Sequence, residues 1–150
     1  MVPRPLSDAG TSGVAATLPG PSLNGPPETA SILVVEDDDA LRDALTQHLA
    51  RSGHTVFSAA TGREGLRIAS LRGPSLTLAL LDIRLPDIQG DELWRTLNQE
   101  VMGVRGLFIS GHDLTELPDL PLSRKEILFL PKPFPMTDLD QAIQRLLITR

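Results

Sequence analysis

Residues 78–90 read LALLDIRLPDIQG, and this stretch determines the expected fold. Its first four residues are apolar without polar alternation, which is typical of a strand buried on both faces of a parallel sheet. The run stops at Asp82, which would lie at the carboxyl end of the strand, where ligands bind in open α/β sheets. Pro86 and Gly90 indicate a structured loop after it. The alternative for Asp82 is a strand terminator or a helix N-cap.

The composition excludes several classes of protein. The 150 residues include 41% hydrophobic but only 3% aromatic residues, so we expect one globular domain with an aliphatic core. The net charge of -5 argues against nucleic acid or an anionic membrane as the main partner. The absence of cysteine excludes disulfides and thiolate sites, and no apolar stretch has membrane-spanning length. We therefore expect a cytoplasmic protein without a membrane segment.

The first thirty residues differ in composition from the rest of the chain. Residues 1–30 are rich in Pro, Gly, Ser, Thr and Ala, contain six prolines and show neither helical nor strand periodicity. Such a segment buries too little apolar surface to fold alone. We expect a disordered arm or linker over residues 1–30 and one folded domain over residues 31–150.

Apolar runs alternate with helical periods from residue 31 onward. The predicted strands span residues 32–35, 54–58, 78–82, 104–109 and 127–130. The predicted helices include one capped by Asp38 or Asp39, one starting at Gly62, one starting at Asp91, and a last one capped by Thr137. This alternation predicts a doubly wound, flavodoxin-like parallel sheet of order 2-1-3-4-5 with helices on both faces.

One connecting segment has contradictory signals. The spacing of apolar residues over 114–126 favours a helix, but Pro118 and Pro121 prevent a continuous one. We expect a short, broken or displaced helix there.

Polar residues follow four of the predicted strands directly: Glu36 and Asp37, Asp82, Ser110, and Lys132. In the order 2-1-3-4-5 the first and third strands are neighbours, which would bring Glu36, Asp37 and Asp82 into one crevice. Three close carboxylates repel each other unless a cation joins them. A site whose ligands are all oxygen atoms favours a hard cation, and Mg²⁺ fits best. The sequence therefore predicts a Mg²⁺ site at this edge of the sheet.

The same residues can carry phosphoryl transfer. An Asp carboxylate can act as a nucleophile toward phosphorus, Lys132 can neutralise phosphoryl oxygens, and Ser110 can donate a hydrogen bond to them. Each residue alone has an ordinary alternative: an acidic helix cap, a turn serine, a solvated loop lysine. Their joint occurrence at one sheet edge favours phosphorylation of Asp82.

Four motifs carry a resemblance to a known family. The segments ILVVEDD (32–38), LDIRLPDIQG (81–90), FISGH (108–112) and LPKPF (130–134) resemble the receiver domain of two-component response regulators, in the family's order and spacing. The resemblance covers about residues 31–150. It implies that Asp82 accepts phosphate from the phosphohistidine of a histidine kinase or phosphotransfer protein.

The resemblance also implies roles for individual residues. It implies that Mg²⁺ is held by Asp37, Asp82 and the backbone carbonyl of Arg84, with Glu36 acting through water. Lys132 would contact the phosphoryl group. The bond from Lys132 to Pro133 is often cis in this family.

A switch is part of what the resemblance implies. Ser110 would move toward the phosphoryl group, and Phe129, at the family's aromatic switch position, would turn inward. Arg84 and His112 occupy positions that tune dephosphorylation. Phe129 replaces the commoner tyrosine, and the prolines within 114–126 alter a segment of the usual output face.

The function expected is a signalling receiver that changes its preference for a downstream protein. It would be a stand-alone regulator or the C-terminal receiver of a hybrid histidine kinase, with no enzymatic activity beyond Mg²⁺-dependent phosphorylation and dephosphorylation of itself. The alternative is a receiver-like interaction module that is not phosphorylated. An aspartyl-phosphate hydrolase needs a second Asp where Arg84 stands, and the acids after the first strand disfavour flavin phosphate. The sequence does not fix the oligomeric state.

Overall fold

The computed structural model describes residues 29–111 and 127–148. The predicted N-terminal arm, the segment 114–126 with its two prolines, and His112 lie outside these residues, apart from positions 29 and 30 of the arm. The strands are β1 (Ser31–Val35), β2 (Thr55–Ala59), β3 (Leu78–Asp82), β4 (Arg105–Ser110) and β5 (Ile127–Pro131). The α-helices are α1 (Asp39–Arg51), α2 (Gly62–Arg72), α3 (Gly90–Glu100) and α4 (Met136–Ile148).

The sheet has the predicted order. All five strands are parallel and lie in the order β2-β1-β3-β4-β5. Val35 pairs with Leu81 between β1 and β3, and Ser110 pairs with Pro131 between β4 and β5. The carboxyl ends of the strands therefore meet at one edge of the sheet.

The central strands are buried on both faces, as their apolar runs predicted. All five residues of β3 are buried. Alternate residues of β1 face opposite layers, with Leu33 and Val35 in the core beside α2 and α3, and Ile32 and Val34 in the core beside α1 and α4. Each fully buried aliphatic side chain of this kind contributes about 2 kcal/mol of hydrophobic stabilisation.

The predicted cap of α1 is confirmed, and two further residues define the ends of α1 and α2. The carboxylate of Asp38 caps α1 by accepting a hydrogen bond from the backbone N–H of Leu41 at 3.2 Å. Gly53, after the end of α1, has a φ of 97°, in the left-handed region that favours glycine. The Thr61 side chain caps α2 through the backbone N–H of Glu64.

The last helix corrects one prediction. The helix begins at Met136, so Thr137 lies in its first turn and is not the N-cap. The backbone carbonyl of Pro135 accepts from Asp138 N at 3.0 Å and from Leu139 N at 3.4 Å, so the helix starts two residues earlier than a Thr137 cap would place it.

Strands β2 and β4 each lie one residue further along the chain than predicted. Pairing of β2 with β1 runs from Thr55 to Ala59, and pairing of β4 with β3 and β5 extends to Ser110. Strand ends are set by the partner strand's register rather than by local composition.

Within the described residues, none of the helices is long and apolar enough to cross a membrane.

Candidate functional site

The sheet edge holds the residues that the sequence singled out. Glu36 and Asp37 follow β1, Asp82 and Ser110 end β3 and β4, and Lys132 follows β5. Backbone hydrogen bonds continue past the strand ends, from Glu36 N to Ala59 O at 3.0 Å and from Lys132 N to Ser110 O at 2.8 Å. The neighbouring strands therefore fix where these side chains leave the backbone.

Three carboxylates converge at this edge. Glu36, Asp37 and Asp82 each place one carboxylate oxygen within 4.8 Å of the other two. Glu36 is fully buried and Asp82 is 6% exposed, whereas Asp37 is exposed. We call these three residues the acidic cluster. It forms a partly buried set of oxygen donors that opens to solvent at Asp37.

Lys132 lies between two carboxylates of the acidic cluster. Its Nζ is 2.9 Å from Glu36 Oε1 and 3.3 Å from Asp82 Oδ2. Burial lowers the pKa of Lys132, but its contacts with Glu36 and Asp82 outweigh this and hold the pKa above its usual value. Lys132 therefore stays protonated and supplies one positive charge to two acids.

The negative charge of ionised Glu36 is only partly balanced by its neighbours. Burial, together with the adjacent Asp82 carboxylate, raises the pKa of Glu36 to about 7, and the contacts with Lys132 and the Asp38 backbone offset only part of that rise. Glu36 Oε1 is buried, and its contact with Lys132 Nζ at 2.9 Å is an ion pair. A buried oxygen of this kind, beside two further carboxylates, fits a hard divalent cation.

Arg42 was not predicted from the sequence, but it holds the acidic loop after β1. Its Nη1 donates to the backbone carbonyl of Glu36 at 2.9 Å, and its Nη2 donates to Asp39 Oδ1 at 2.6 Å. The spacing of Asp39 and Arg42, three residues apart in a helix, was the available signal for their ion pair. The contact with Glu36 depends on the loop's path and has no such signal.

The loop between β3 and α3 (residues 83–89) is closed at its base. The backbone N–H of Gly90 donates to Ile83 O at 3.0 Å, and Arg84 forms an antiparallel bridge with Gln89. The backbone N–H of Arg84 also donates to Asp82 Oδ1 at 3.0 Å. The loop that carries Arg84 is thus attached directly to Asp82.

The residues expected to switch, Ser110 and Phe129, lie on the neighbouring strands β4 and β5. Ser110 is buried at the end of β4. Phe129 is half-buried and stacks on Phe108, with ring centroids 5.4 Å apart and planes 21° apart. Phe108 in turn meets the edge of Trp94 with centroids 6.1 Å apart. The Lys132–Pro133 bond is cis, as the resemblance implied.

A family model for the response regulator receiver domain matches residues 32–144. The sensor kinase CckA of Brucella abortus is 32% identical over 120 residues, which cover 79% of this chain and 13% of that kinase. The chain spans between 25% and 49% of the length of the other curated relatives compared.

Solved structures show the same architecture. The receiver domain of a hybrid histidine kinase CckA superposes with a TM-score of 0.67 at 30% identity, covering 78% of this chain and 99% of that one. The response regulator TrrA of Thermotoga maritima, solved in complex with Mg²⁺ and BeF, superposes with a TM-score of 0.66 at 23% identity, covering 78% and 98% of the two chains. The similarity to TrrA shows only that the two proteins share a fold.

Proposed function

Because this chain belongs to the response regulator receiver domain family of two-component signalling, we propose that it is a phosphoryl-accepting switch with Asp82 as the acceptor. The observation that carries the proposal is the ammonium of Lys132, which lies within 3.3 Å of carboxylates from both Glu36 and Asp82. A fixed positive charge beside a nucleophilic carboxylate is suited to an incoming phosphoryl group.

The reaction is a transfer between two side chains. An Asp82 carboxylate oxygen attacks the phosphorus of a phosphohistidine on a histidine kinase or phosphotransfer protein. The new P–O bond forms as the P–N bond breaks, and the electron pair of that bond leaves with the imidazole nitrogen. Lys132 then pairs with a phosphoryl oxygen, and Ser110 donates a hydrogen bond to another.

Mg²⁺ is the cofactor that the donor set fits. Asp37, Asp82 and the backbone carbonyl of Arg84 would hold it, with Glu36 acting through water. Bound Mg²⁺ would neutralise charge on the transferring phosphoryl group. Support comes from the clustering of the three carboxylates and from the buried Glu36 carboxylate, whose negative charge Lys132 balances only in part.

Phosphorylation would bias a two-state equilibrium. The added charge draws Ser110 toward the phosphoryl group, and Phe129 turns inward. The resulting change of surface would alter affinity for a downstream protein, while Arg84 and His112 tune the lifetime of the phosphoryl group. The only chemistry of the domain would be its own phosphorylation and dephosphorylation.

We further propose a receiver over residues 31–150, in the cytoplasm, preceded by an arm or linker over residues 1–30. The similarity to a sensor kinase and to the receiver of a hybrid histidine kinase supports a receiver of a hybrid kinase, for which the sequence predicted the C-terminal position. A stand-alone regulator fits the same domain.

The test is phosphorylation by acetyl phosphate or phosphoramidate with Mg²⁺, followed by intact mass. We expect one phosphoryl adduct on the wild type, none on Asp82→Asn, and an unchanged adduct on the control Asp43→Asn, which alters an exposed acid of α1. EDTA should abolish the adduct. An adduct that survives in Asp82→Asn would refute the assignment. No adduct and no Mg²⁺ binding in the wild type would favour a receiver-like interaction module.

A further inference from the structure

Asp87 joins two elements that are distant in the sequence. It lies in the loop 83–89, and its Oδ1 and Oδ2 accept hydrogen bonds from the backbone N–H groups of Gly62 and Arg63, both at 2.9 Å. These N–H groups belong to the first turn of α2, where backbone donors have no partner within the helix. The carboxylate of this loop residue thus accepts from two backbone donors of α2. We call this contact the Asp87 clamp.

The clamp requires close approach of the two backbones. A Cβ atom added at Gly62 would lie 3.0 Å from Ile88 Cβ and 3.3 Å from Asp87 Oδ1. Glycine at this position is therefore what lets the tip of the loop rest directly on α2.

The carboxylate is held in its charged form. Slight burial raises the pKa of Asp87, but the backbone N–H groups of Arg63 and Gly62 outweigh this and hold the pKa below its usual value. The positive end of the α2 dipole acts in the same direction. The clamp is accordingly a charge-assisted contact at neutral pH.

The loop is thus fixed at two points. Its base is attached to β3 through the hydrogen bond from Gly90 N to Ile83 O and through that from Arg84 N to Asp82 Oδ1. Its tip is attached to α2 by the clamp. Arg84 takes part in the attachment at the base, three residues before Asp87.

We propose that Asp87 is a positioning residue, which sets Mg²⁺ affinity by fixing the loop that carries Arg84, whose backbone carbonyl is one of the proposed ligands. This inference rests on the proposed Mg²⁺ site. Helix α2, which supplies no ligand, would then contribute to metal affinity through its first turn. Contacts of this indirect kind typically change metal affinity by about 10- to 100-fold.

The test measures Mg²⁺ affinity of the full chain by calorimetry for two variants that break the clamp from opposite sides. Asp87→Ala removes the acceptor, and Gly62→Ala pushes the loop away without changing charge. Alanine has a higher helix propensity than glycine, so the second variant does not weaken α2 itself. We expect the Mg²⁺ Kd to rise about tenfold in both. Asp87→Asn keeps one acceptor oxygen and should give an intermediate loss.

Thr61→Ala is the matched control. It removes the side-chain cap of the same helix, 3.1 Å from Glu64 N, and leaves the clamp intact. We expect it to lower Tm but to leave the Mg²⁺ Kd within about twofold of wild type.

The outcomes separate the inference from the function on which it rests. Wild-type Mg²⁺ affinity in Gly62→Ala overturns the inference, because loss in Asp87→Ala alone would then reflect only its charge. An equal loss of affinity in Thr61→Ala also overturns it, since general fraying of α2 would suffice. A wild type that binds no Mg²⁺ overturns the proposed function, and the inference with it.

Discussion

Glu36 should make the metal-free protein lose stability as pH rises. Its carboxyl group is fully buried, and its pKa lies at about 7 rather than at its ordinary 4.5. Between these two pH values the native state keeps a proton that the unfolded state releases. The free energy of unfolding therefore falls as pH rises through this window, and the whole loss is present above pH 7.

The magnitude follows from the size of the shift. A rise in pKa from 4.5 to about 7, at about 1.4 kcal/mol per pH unit, corresponds to at most about 3.5 kcal/mol of unfolding free energy. Lys132 pairs with the ionised form and can relax toward it, so we expect a loss of about 1 to 3 kcal/mol. Substitution Glu36→Gln removes the titrating group and should abolish this loss.

His54 changes the free energy of unfolding with pH in the opposite direction, so its effect must be separated from that of Glu36. Burial lowers the pKa of His54, and its Nδ1 accepts a hydrogen bond from Ala30 N at 3.0 Å. The native state therefore excludes a proton that the unfolded state binds, and this contribution to stability is lost as pH falls below about 6.5. Wild type and Glu36→Gln both contain His54, so the effect of His54 cancels when the two proteins are compared.

The assay is urea unfolding followed by circular dichroism, from about pH 5 to about pH 8, in EDTA. The free energy of unfolding of the wild type should fall relative to that of Glu36→Gln by the amount above. If the free energy of unfolding changes with pH in the same way in both proteins, the reasoning about Glu36 is refuted. Excess Mg²⁺ should reduce the fall in the wild type, because it supplies the carboxylate with a second cation.

Two further predictions concern neighbouring parts of the fold. Lys132→Met removes the ammonium 3.3 Å from Asp82 and should slow adduct formation with acetyl phosphate by at least about tenfold, measured by intact mass; an unchanged rate would remove Lys132 from the chemistry. Gly106→Ala places a Cβ 2.8 Å from the Trp94 ring and should lower the free energy of unfolding by about 1 to 3 kcal/mol. Its control is Gly111→Ala, where an added Cβ meets nothing within 4 Å among the described residues; equal losses in urea unfolding would contradict the packing argument.

The sheet and the acidic cluster could be predicted because both follow from periodic patterns. The apolar run before Asp82 specifies a strand buried on both faces, and the order of a doubly wound sheet places the end of β1 beside it. The placement of Glu36 and Asp37 beside Asp82 needed only that topology.

Contacts set by the approach of separate elements could not be predicted. Asp87 follows a proline in an exposed loop, so its local pattern indicates a turn, although its carboxylate binds a helix 24 residues earlier in the chain. Thr137 failed as a cap for a related reason. The capping rule ranks side chains, whereas the backbone carbonyl of Pro135 starts the helix.

The ring stack of Trp94, Phe108 and Phe129 gives this chain a built-in optical reporter. Trp94 is the only tryptophan in the sequence, and it is buried with its ring against Phe108, on which Phe129 stacks. Reorientation of the Phe129 ring would shift its neighbour and change the polarity and quenching around a single indole. Indole emission would therefore follow the conformational equilibrium in unlabelled protein, and stopped-flow mixing could time it against the chemistry at Asp82.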